Sequence, residues 1–296
     1  MVTAAAGRSK PRPRSGVVHN LKTYPECRPF KEAYDRLEAA GPTAWPHVEA
    51  DFVQAMAAFD TLRAAGEVQD GAQRNGRGGF FNDLLALVLE NCAGLDTLYK
   101  RTLVHGRVFK THELDVTYPA AGPARFTLEA KVLGTPLHPG NEKSQSNALG
   151  RSGSADLDKR LKEAAFKAID LKAEYDLLVA GQGGASRTGP GHASMTSWLR
   201  QQLPSAYVFL AARCVDETDR HRLMLSATAI NQVFDHVGVF CFGPVDDSHP
   251  TNYKVIPVQP NAYDIGHVLQ EACRDLRGIH ASLREELLVA DPDDPS

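Results

Sequence analysis

The sequence predicts an α/β protein in which a mixed central β-sheet is flanked by helices. Two observations lead to this fold class. Segments with helical spacing of apolar residues alternate along the chain with short runs of β-type residues, and two of those runs are separated by a short turn-like connection. Apolar residues make up 43% of the chain and charged residues 23%, the balance of a globular protein with a sizeable core.

One folded body with two irregular ends is expected from the distribution of residue types. Residues 1–30 predict a flexible basic N-terminal arm, in which Pro11 and Pro13 exclude a helix. Residues 286–296 are acidic and contain proline, which predicts a disordered tail. Residues 31–285 are therefore expected to form a single α/β domain.

The first half of this domain is predicted to be helical. Phe30–Ala40 and Val48–Ala65 have apolar residues at helical spacing. Phe80–Cys92 is a strongly apolar helix, for which Gly94 is a suitable C-cap. Gly66 and Gly71 are expected to end the second of these helices, and Gly76–Gly79 leads into Phe80–Cys92.

A hairpin is predicted next, because two strand-like runs, Arg107–Tyr118 and Arg125–Leu133, flank the connection Pro119–Pro123. Helices and strands alternate after the hairpin. The predicted elements are a helix at 155–176, a short buried strand at 177–180, a glycine-rich loop at 181–191, a helix at 195–202, a strand at 206–212, a helix at 223–232, a strand at 237–242 and a helix at 264–283.

Candidate chemistry lies on the polar side of the hairpin. Side chains alternate between the two faces of a strand, so Glu129 and Lys131 share one face while the apolar residues between them share the other. Asp115 occupies the polar face of the preceding strand in the same way. If the two strands pair across the turn, Asp115 lies beside Glu129.

Such an arrangement suits a hard divalent cation. Two neighbouring carboxylates repel each other, and a bound cation relieves that repulsion. Mg²⁺ prefers oxygen ligands and usually binds through one or two carboxylates together with waters and phosphate. A lysine beside them can orient or deprotonate a water and can offset the charge of a pentavalent phosphorane. The pattern therefore indicates hydrolysis of phosphodiester bonds.

Asp115, followed by Glu129-Ala-Lys131 on the next strand, resembles the motif of the PD-(D/E)XK nucleases, over roughly residues 76–180. The resemblance implies a restriction-endonuclease-like core and a Mg²⁺ cofactor, and it makes residues 31–285 a catalytic domain. It makes Asp115 and Glu129 metal ligands, adds the carbonyl of Ala130 as a further ligand, and gives Lys131 the task of positioning the attacking water.

A further acid often comes from the helix that precedes the hairpin in this family. Asp83 and Glu90 share a face of the predicted helix, and Asp83, next to Asn82 near its start, is the preferred candidate metal ligand. The chain departs from the family pattern in one respect, because Leu114 and not proline precedes Asp115.

Type II restriction endonucleases are the members of the family that the size and single-body layout resemble most. This implies double-stranded DNA as the substrate and a homodimer that cuts both strands. Such enzymes read base edges with hydrogen-bonding side chains from loops. The candidate DNA-binding residues are Lys143, Gln145, Asn147 and Arg151, which follow the Glu-x-Lys strand, and Arg187 in the glycine-rich loop.

Other interpretations remain open at this point. The chain could be a less specific PD-(D/E)XK nuclease of DNA repair or defence, or a catalytically silent DNA-binding protein that has kept the fold. The polar face could also be a solvated hairpin on which Glu129 and Lys131 only pair with each other. The net charge of −3 argues against binding DNA by bulk charge, although Thr97–His112 carries four basic residues and no acid.

The cysteines predict a reduced, cytoplasmic protein. The five cysteines are an odd number without Cys-x-x-Cys spacing, which favours buried thiols over a disulfide framework or a zinc site. No apolar run approaches the roughly 20 residues that span a bilayer, so no membrane association is expected.

Overall fold

A computed structural model describes residues 22–41, 45–95, 102–104, 106–109, 112–119, 125–137, 150–179 and 205–289. The helices are α1 (Arg28–Ala40), α2 (Trp45–Ala64), α3 (Asp70–Ala93), α4 (Gly153–Val179), α5 (Glu217–Ile230) and α6 (Ile265–Val289), with 3-10 turns at Pro25–Cys27 and Asn261–Tyr263. The strands are β1 (Thr102–Val104), β2 (His112–Leu114), β3 (Val116–Tyr118), β4 (Phe126–Leu133), β5 (Ser205–Arg213), β6 (His236–Pro244) and β7 (Tyr253–Ile256).

The central sheet has five strands in the order β3-β4-β5-β6-β7. The middle strands β4, β5 and β6 are parallel, and the two edge strands β3 and β7 are antiparallel to their neighbours. The strands β1 and β2 form a separate antiparallel pair. The predicted fold class, a mixed sheet flanked by helices, is confirmed.

Helices cover both faces of the sheet. The helices α1, α2, α3 and α6 pack on one face, and α4 and α5 pack on the other. Strand β5 is buried on both sides, since Tyr207 and Phe209 contact the first layer while Val208 and Leu210 contact the second. This explains its nearly continuous apolar sequence. None of the described helices combines the length and apolar character needed to cross a membrane.

Helix α3 begins earlier than the sequence predicts, and Gly76 within it allows close packing of its neighbours. Asp70–Ala93 is one helix that runs through Gly71, where a break was expected, and through Gly76. A Cβ atom at Gly76 would lie 3.2 Å from Phe59 Cζ and 3.3 Å from Cys27 Sγ. The glycine therefore lets α2 approach α3 closely, and the burial that results offsets its poor helix propensity. Gly94 ends the helix at a φ of 68°, as predicted.

The boundaries of other elements also differ from the predicted ones, because a short apolar run can form either a helix or a strand. Residues 177–179, predicted as the start of a strand, continue α4, and the strand beside β4 is β5. The predicted strand Arg107–Tyr118 is divided between β2 and β3, which belong to different sheets, and neither β1 nor β7 was predicted. Helix α1 begins inside the predicted arm, and α6 extends to Val289, inside the predicted tail. The predicted loop at 181–191 and helix at 195–202 lie outside the described residues.

The prediction of five reduced cysteines is wrong for two of them. Cys92 at the end of α3 and Cys273 in α6 form a disulfide, with their Cα atoms 6.0 Å apart. These residues are 181 positions apart, and only the packing of α3 against α6 brings them together. The remaining cysteines are free and buried. The cytoplasmic location stays a prediction.

A buried ionic cluster ties α2 and α3 to the end of β5. Arg213 is fully buried and donates from Nε to the Tyr253 hydroxyl at 3.2 Å, and that hydroxyl donates to Asp60 at 2.7 Å. Arg77 of α3 lies 3.5 Å from the same carboxylate. Burial is the main cause that lowers the pKa of the neighbouring Arg63, and the positive charge of Arg77 is the second. Asp60 is thus a carboxylate that Tyr253 and Arg77 both contact within this cluster.

Replacing Asp60 is expected to destabilise the fold strongly. We expect Asp60→Asn to lower the free energy of unfolding by about 3 kcal/mol, because it leaves buried guanidinium groups without a counter-charge. The matched control is Asp51→Asn, which removes a more exposed pair with Arg36 and should cost less than about 1 kcal/mol. Urea unfolding of both variants measures the difference, and equal losses would contradict the role given to Asp60.

Candidate active site

The pairing of β3 with β4 brings Asp115 to Glu129. Val116 lies opposite Leu128 in this antiparallel pair, and continuing the register places Asp115, in the bend before β3, next to Glu129. The Asp115 Oδ2 atom accepts the backbone N–H of Ala130 at 2.8 Å. On the other side, Asn82 of α3 donates to the backbone carbonyl of Asp115 at 3.3 Å. Hydrogen bonds to the backbone of β4 and to a side chain of α3 therefore fix this residue.

Three oxygen atoms converge on the ammonium group of Lys131. Its Nζ atom lies 3.1 Å from Asp115 Oδ2, 2.7 Å from Glu129 Oε2 and 3.2 Å from the carbonyl oxygen of Ala130. The resemblance assigns these same residues to the cation. The structure thus brings together the four residues Asp115, Glu129, Ala130 and Lys131 that the sequence singled out.

The charge of Lys131 follows from this environment. Burial by itself would lower its pKa, but the charges and hydrogen bonds of Asp115 and Glu129 outweigh burial and raise the pKa above its ordinary value. Lys131 is therefore protonated at neutral pH when it holds both carboxylates. In this state it donates hydrogen bonds and cannot accept a proton.

Lys167 is a second lysine at the site, and sequence reasoning missed it. Its Nζ atom lies 2.9 Å from Glu129 Oε1 and 3.1 Å from Oε2, and it also donates to the carbonyl of Glu113 at 2.7 Å. Lys167 belongs to α4, on the sheet face toward which Glu129 points. No spacing links it to the Glu-x-Lys strand, so the sequence carries no signal for it.

Asp170 holds α4 against the segment that leads into the hairpin. Its carboxylate lies 2.6 Å from His112 Nε2 and accepts the backbone N–H groups of Val108 at 2.6 Å and Phe109 at 3.2 Å. A Cβ atom at Gly106 would lie 2.0 Å from this carboxylate, so only glycine fits there. Because Asp170 is three residues from Lys167, this contact also sets the position of Lys167.

The pKa of Asp170 reflects the same contacts. Its burial by itself raises the pKa, but the hydrogen bond with His112 and the two backbone donors outweigh burial and bring the pKa below its ordinary value. The carboxylate is therefore more stable as an anion in the folded protein than in the unfolded chain.

Asp83, the preferred acid of the preceding helix, is fully buried in α3 beside Asn82. Glu90, the alternative, is also buried. In the described part of the chain, the oxygens around the Lys131 ammonium come from Asp115, Glu129 and Ala130. A metal-binding role for Asp83 stays a prediction.

Of the candidate DNA-binding residues, the structure describes Arg151. It is exposed just before α4, and its backbone forms a two-way bridge with Thr135, beyond the end of β4. The others, Lys143, Gln145, Asn147 and Arg187, lie outside the described residues. A role in reading bases stays a prediction for all of them.

The donor set fits a hard cation of the Mg²⁺ type. Two carboxylates and one backbone carbonyl supply oxygen atoms, and these three groups already converge on the ammonium of Lys131. Among the residues that the structure describes, no group of three or more His, Cys, Asp or Glu side chains could hold a metal ion. Any cation at this site would thus complete its coordination with waters or phosphate, as Mg²⁺ usually does in proteins.

Comparison of the chain with protein-family models, with curated proteins and with solved structures finds no match. The function of the site is therefore inferred from the geometry and chemistry of the described residues.

Replacing Asp170 is expected to destabilise the protein in a pH-dependent way. At pH 7 we expect Asp170→Asn to lower the free energy of unfolding by about 2 kcal/mol, because the charged acceptor of His112 and two amides is lost. A lowered pKa stabilises the folded state above the unfolded value of about 3.9, and this contribution disappears as the pH falls through the folded value.

Urea unfolding between pH 7 and pH 3 measures this effect. The difference between wild type and Asp170→Asn should be constant near neutral pH and should shrink below about pH 4. Asp158→Asn, which changes an exposed acid of the same helix, is the control and should show no such difference. A wild-type advantage that persists unchanged at pH 3 would contradict the role of the Asp170 charge.

Proposed function

We propose that this protein is a Mg²⁺-dependent endodeoxyribonuclease that hydrolyses phosphodiester bonds of double-stranded DNA. The observation that carries the proposal is the convergence of Asp115 Oδ2, Glu129 Oε2 and the Ala130 carbonyl on one ammonium group. Oxygen atoms that surround a compact positive charge in this way are also suitable ligands for a hard cation. An amine that remains beside them suits phosphoryl chemistry.

Each residue has a definite task in this proposal. Asp115, Glu129 and the Ala130 carbonyl would hold the cation, which when bound polarises a phosphoryl oxygen and makes its bound water more acidic. Lys131 then no longer has to neutralise both carboxylates. Fixed in β4, it can hold the attacking water by a hydrogen bond and place positive charge near the phosphorane.

The exposure of the site supports a large substrate. The Glu129 side chain is 4% exposed, whereas the Asp115 side chain is 31% exposed. Lys131 lies between them at 17%. Electrostatic contacts are stronger around the poorly solvated Glu129, and the exposed part of Asp115 can be approached by a polymer backbone.

The finer proposal is a sequence-specific enzyme of the type II restriction class that acts as a homodimer. Cutting both strands of a palindromic site requires two active sites related by a two-fold axis. Support comes from the resemblance of the motif and from the hydrogen-bonding residues that follow β4 in the sequence, from Lys143 to Arg151. A less specific nuclease of repair or defence, or a DNA-binding protein without activity, would give different results in the cleavage assay.

Removing either central residue should abolish cleavage. We expect Glu129→Ala and Lys131→Ala each to reduce the cleavage rate at least about 100-fold, because each loses an electrostatic contact to the reacting phosphate or its cation. Binding to the same DNA in Ca²⁺ should be largely retained. The control is Lys172→Ala, a half-buried lysine of α4 that instead binds the carbonyl of Val233.

The assay uses plasmid and phage DNA with Mg²⁺ and, in parallel, with EDTA. Discrete fragments would support the restriction-type enzyme, whereas a smear would support the less specific nuclease. DNA binding that does not need Mg²⁺ and leads to no cleavage would support the inactive DNA-binding protein. Cleavage at the wild-type rate by either central variant would overturn the assignment of Glu129 and Lys131.

A further inference from the structure

We propose that Lys167 is a positioning residue that makes cation binding at this site depend on the presence of DNA. This inference rests on the proposed function and adds the conditions under which the site binds its cation. Lys167 would neutralise Glu129 in the free protein, so that a divalent cation is held firmly only when a phosphodiester is also present.

Lys167 forms an ion pair with Glu129 within the folded protein. Among the described residues, Lys167 is the one that binds Glu129 Oε1, at 2.9 Å, whereas Lys131 binds Oε2 at 2.7 Å. The carbonyl of Glu113, at 2.7 Å, is a third acceptor for the Lys167 ammonium. The Lys167 side chain is 27% exposed, so it also has access to solvent and to an approaching substrate.

Lys167 is held in place by the helix that carries it. Asp170, one turn further along α4, binds His112 and the amides of Val108 and Phe109. Leu157, Leu161 and Ala164, earlier in α4, are buried against the sheet. Lys167 is therefore fixed from both directions over Glu129.

The charges of the four side chains balance in the free protein. Asp115 and Glu129 contribute two negative charges, and Lys131 and Lys167 contribute two positive charges within hydrogen-bonding distance of them. A site with both carboxylates and only one lysine would be net negative and would attract a dication by itself. The second ammonium removes that attraction, so the cation must compete with Lys167 for the oxygens of Glu129.

A phosphodiester changes this balance. It brings a negative charge of its own, and its oxygens give a displaced ammonium a new partner. Cation and DNA then each improve the binding of the other, and by thermodynamic linkage the two improvements are equal. Lys167 would be the residue through which the two ligands are coupled.

The test is calorimetric titration of Ca²⁺ into the purified protein without DNA. Lys167→Met should bind Ca²⁺ about tenfold more tightly than wild type, because it removes a positive charge next to the ligands. Lys167→Arg, which keeps that charge, should stay close to wild type. Lys172→Met, the matched control on α4, should also stay close to wild type, and circular dichroism confirms that all variants are folded.

A second titration includes the plasmid used in the cleavage assay. DNA should tighten Ca²⁺ binding by wild type clearly more than by Lys167→Met. Unchanged or weaker Ca²⁺ binding by Lys167→Met without DNA would overturn the inference, as would equal affinities of the Met and Arg variants. Glu129→Gln separates this failure from that of the proposed function: if it binds Ca²⁺ as wild type does, the cation does not lie at Glu129 and both proposals fall.

Discussion

The register between β3 and β4 is the constraint on which the candidate site depends. With Val116 opposite Leu128, the next residue on each strand brings Asp115 beside Glu129. A slip of one residue would turn the side chains of one strand to the opposite face. Such a slip is opposed by the burial of Val116, Phe126 and Leu128, which lie in the core formed with α3. The same apolar contacts that stabilise the hairpin thus set the geometry of its polar side chains.

The two faces of the sheet have different electrostatic character. On the face covered by α2 and α3, Asp60 is surrounded by buried arginines and has no open side in the described structure. On the other face, Glu129 meets two lysines whose side chains are partly exposed. Buried charges of the first kind suit a structural role, since they cannot reach a ligand. Charges of the second kind can exchange partners with a ligand, which is why the proposed chemistry is assigned to that face.

Helix α4 joins the stability of the fold to the site. Its residues Leu157, Leu161 and Ala164 belong to the core, while Lys167 and Asp170 face the polar end of the hairpin. A rigid helix fixes the relative positions of such residues to within a fraction of a turn. Any change in how α4 packs on the sheet would move Lys167 relative to Glu129. Core packing and the electrostatics of the site are thus expected to vary together among variants of this helix.

Local periodicity in the sequence is enough to predict the α/β class, the pairing of two strands across a short turn, and the shared polar face of Glu129 and Lys131. The sequence also indicated the meeting of Asp115 with Glu129, since a short connection joins their strands. Three features emerge only in the folded protein: α3 runs through its glycines, Cys92 bonds to Cys273, and Lys167 binds Glu129. Those features depend on contacts between residues distant along the chain, and the packing of helices on the sheet creates these contacts without leaving a periodic trace in the sequence.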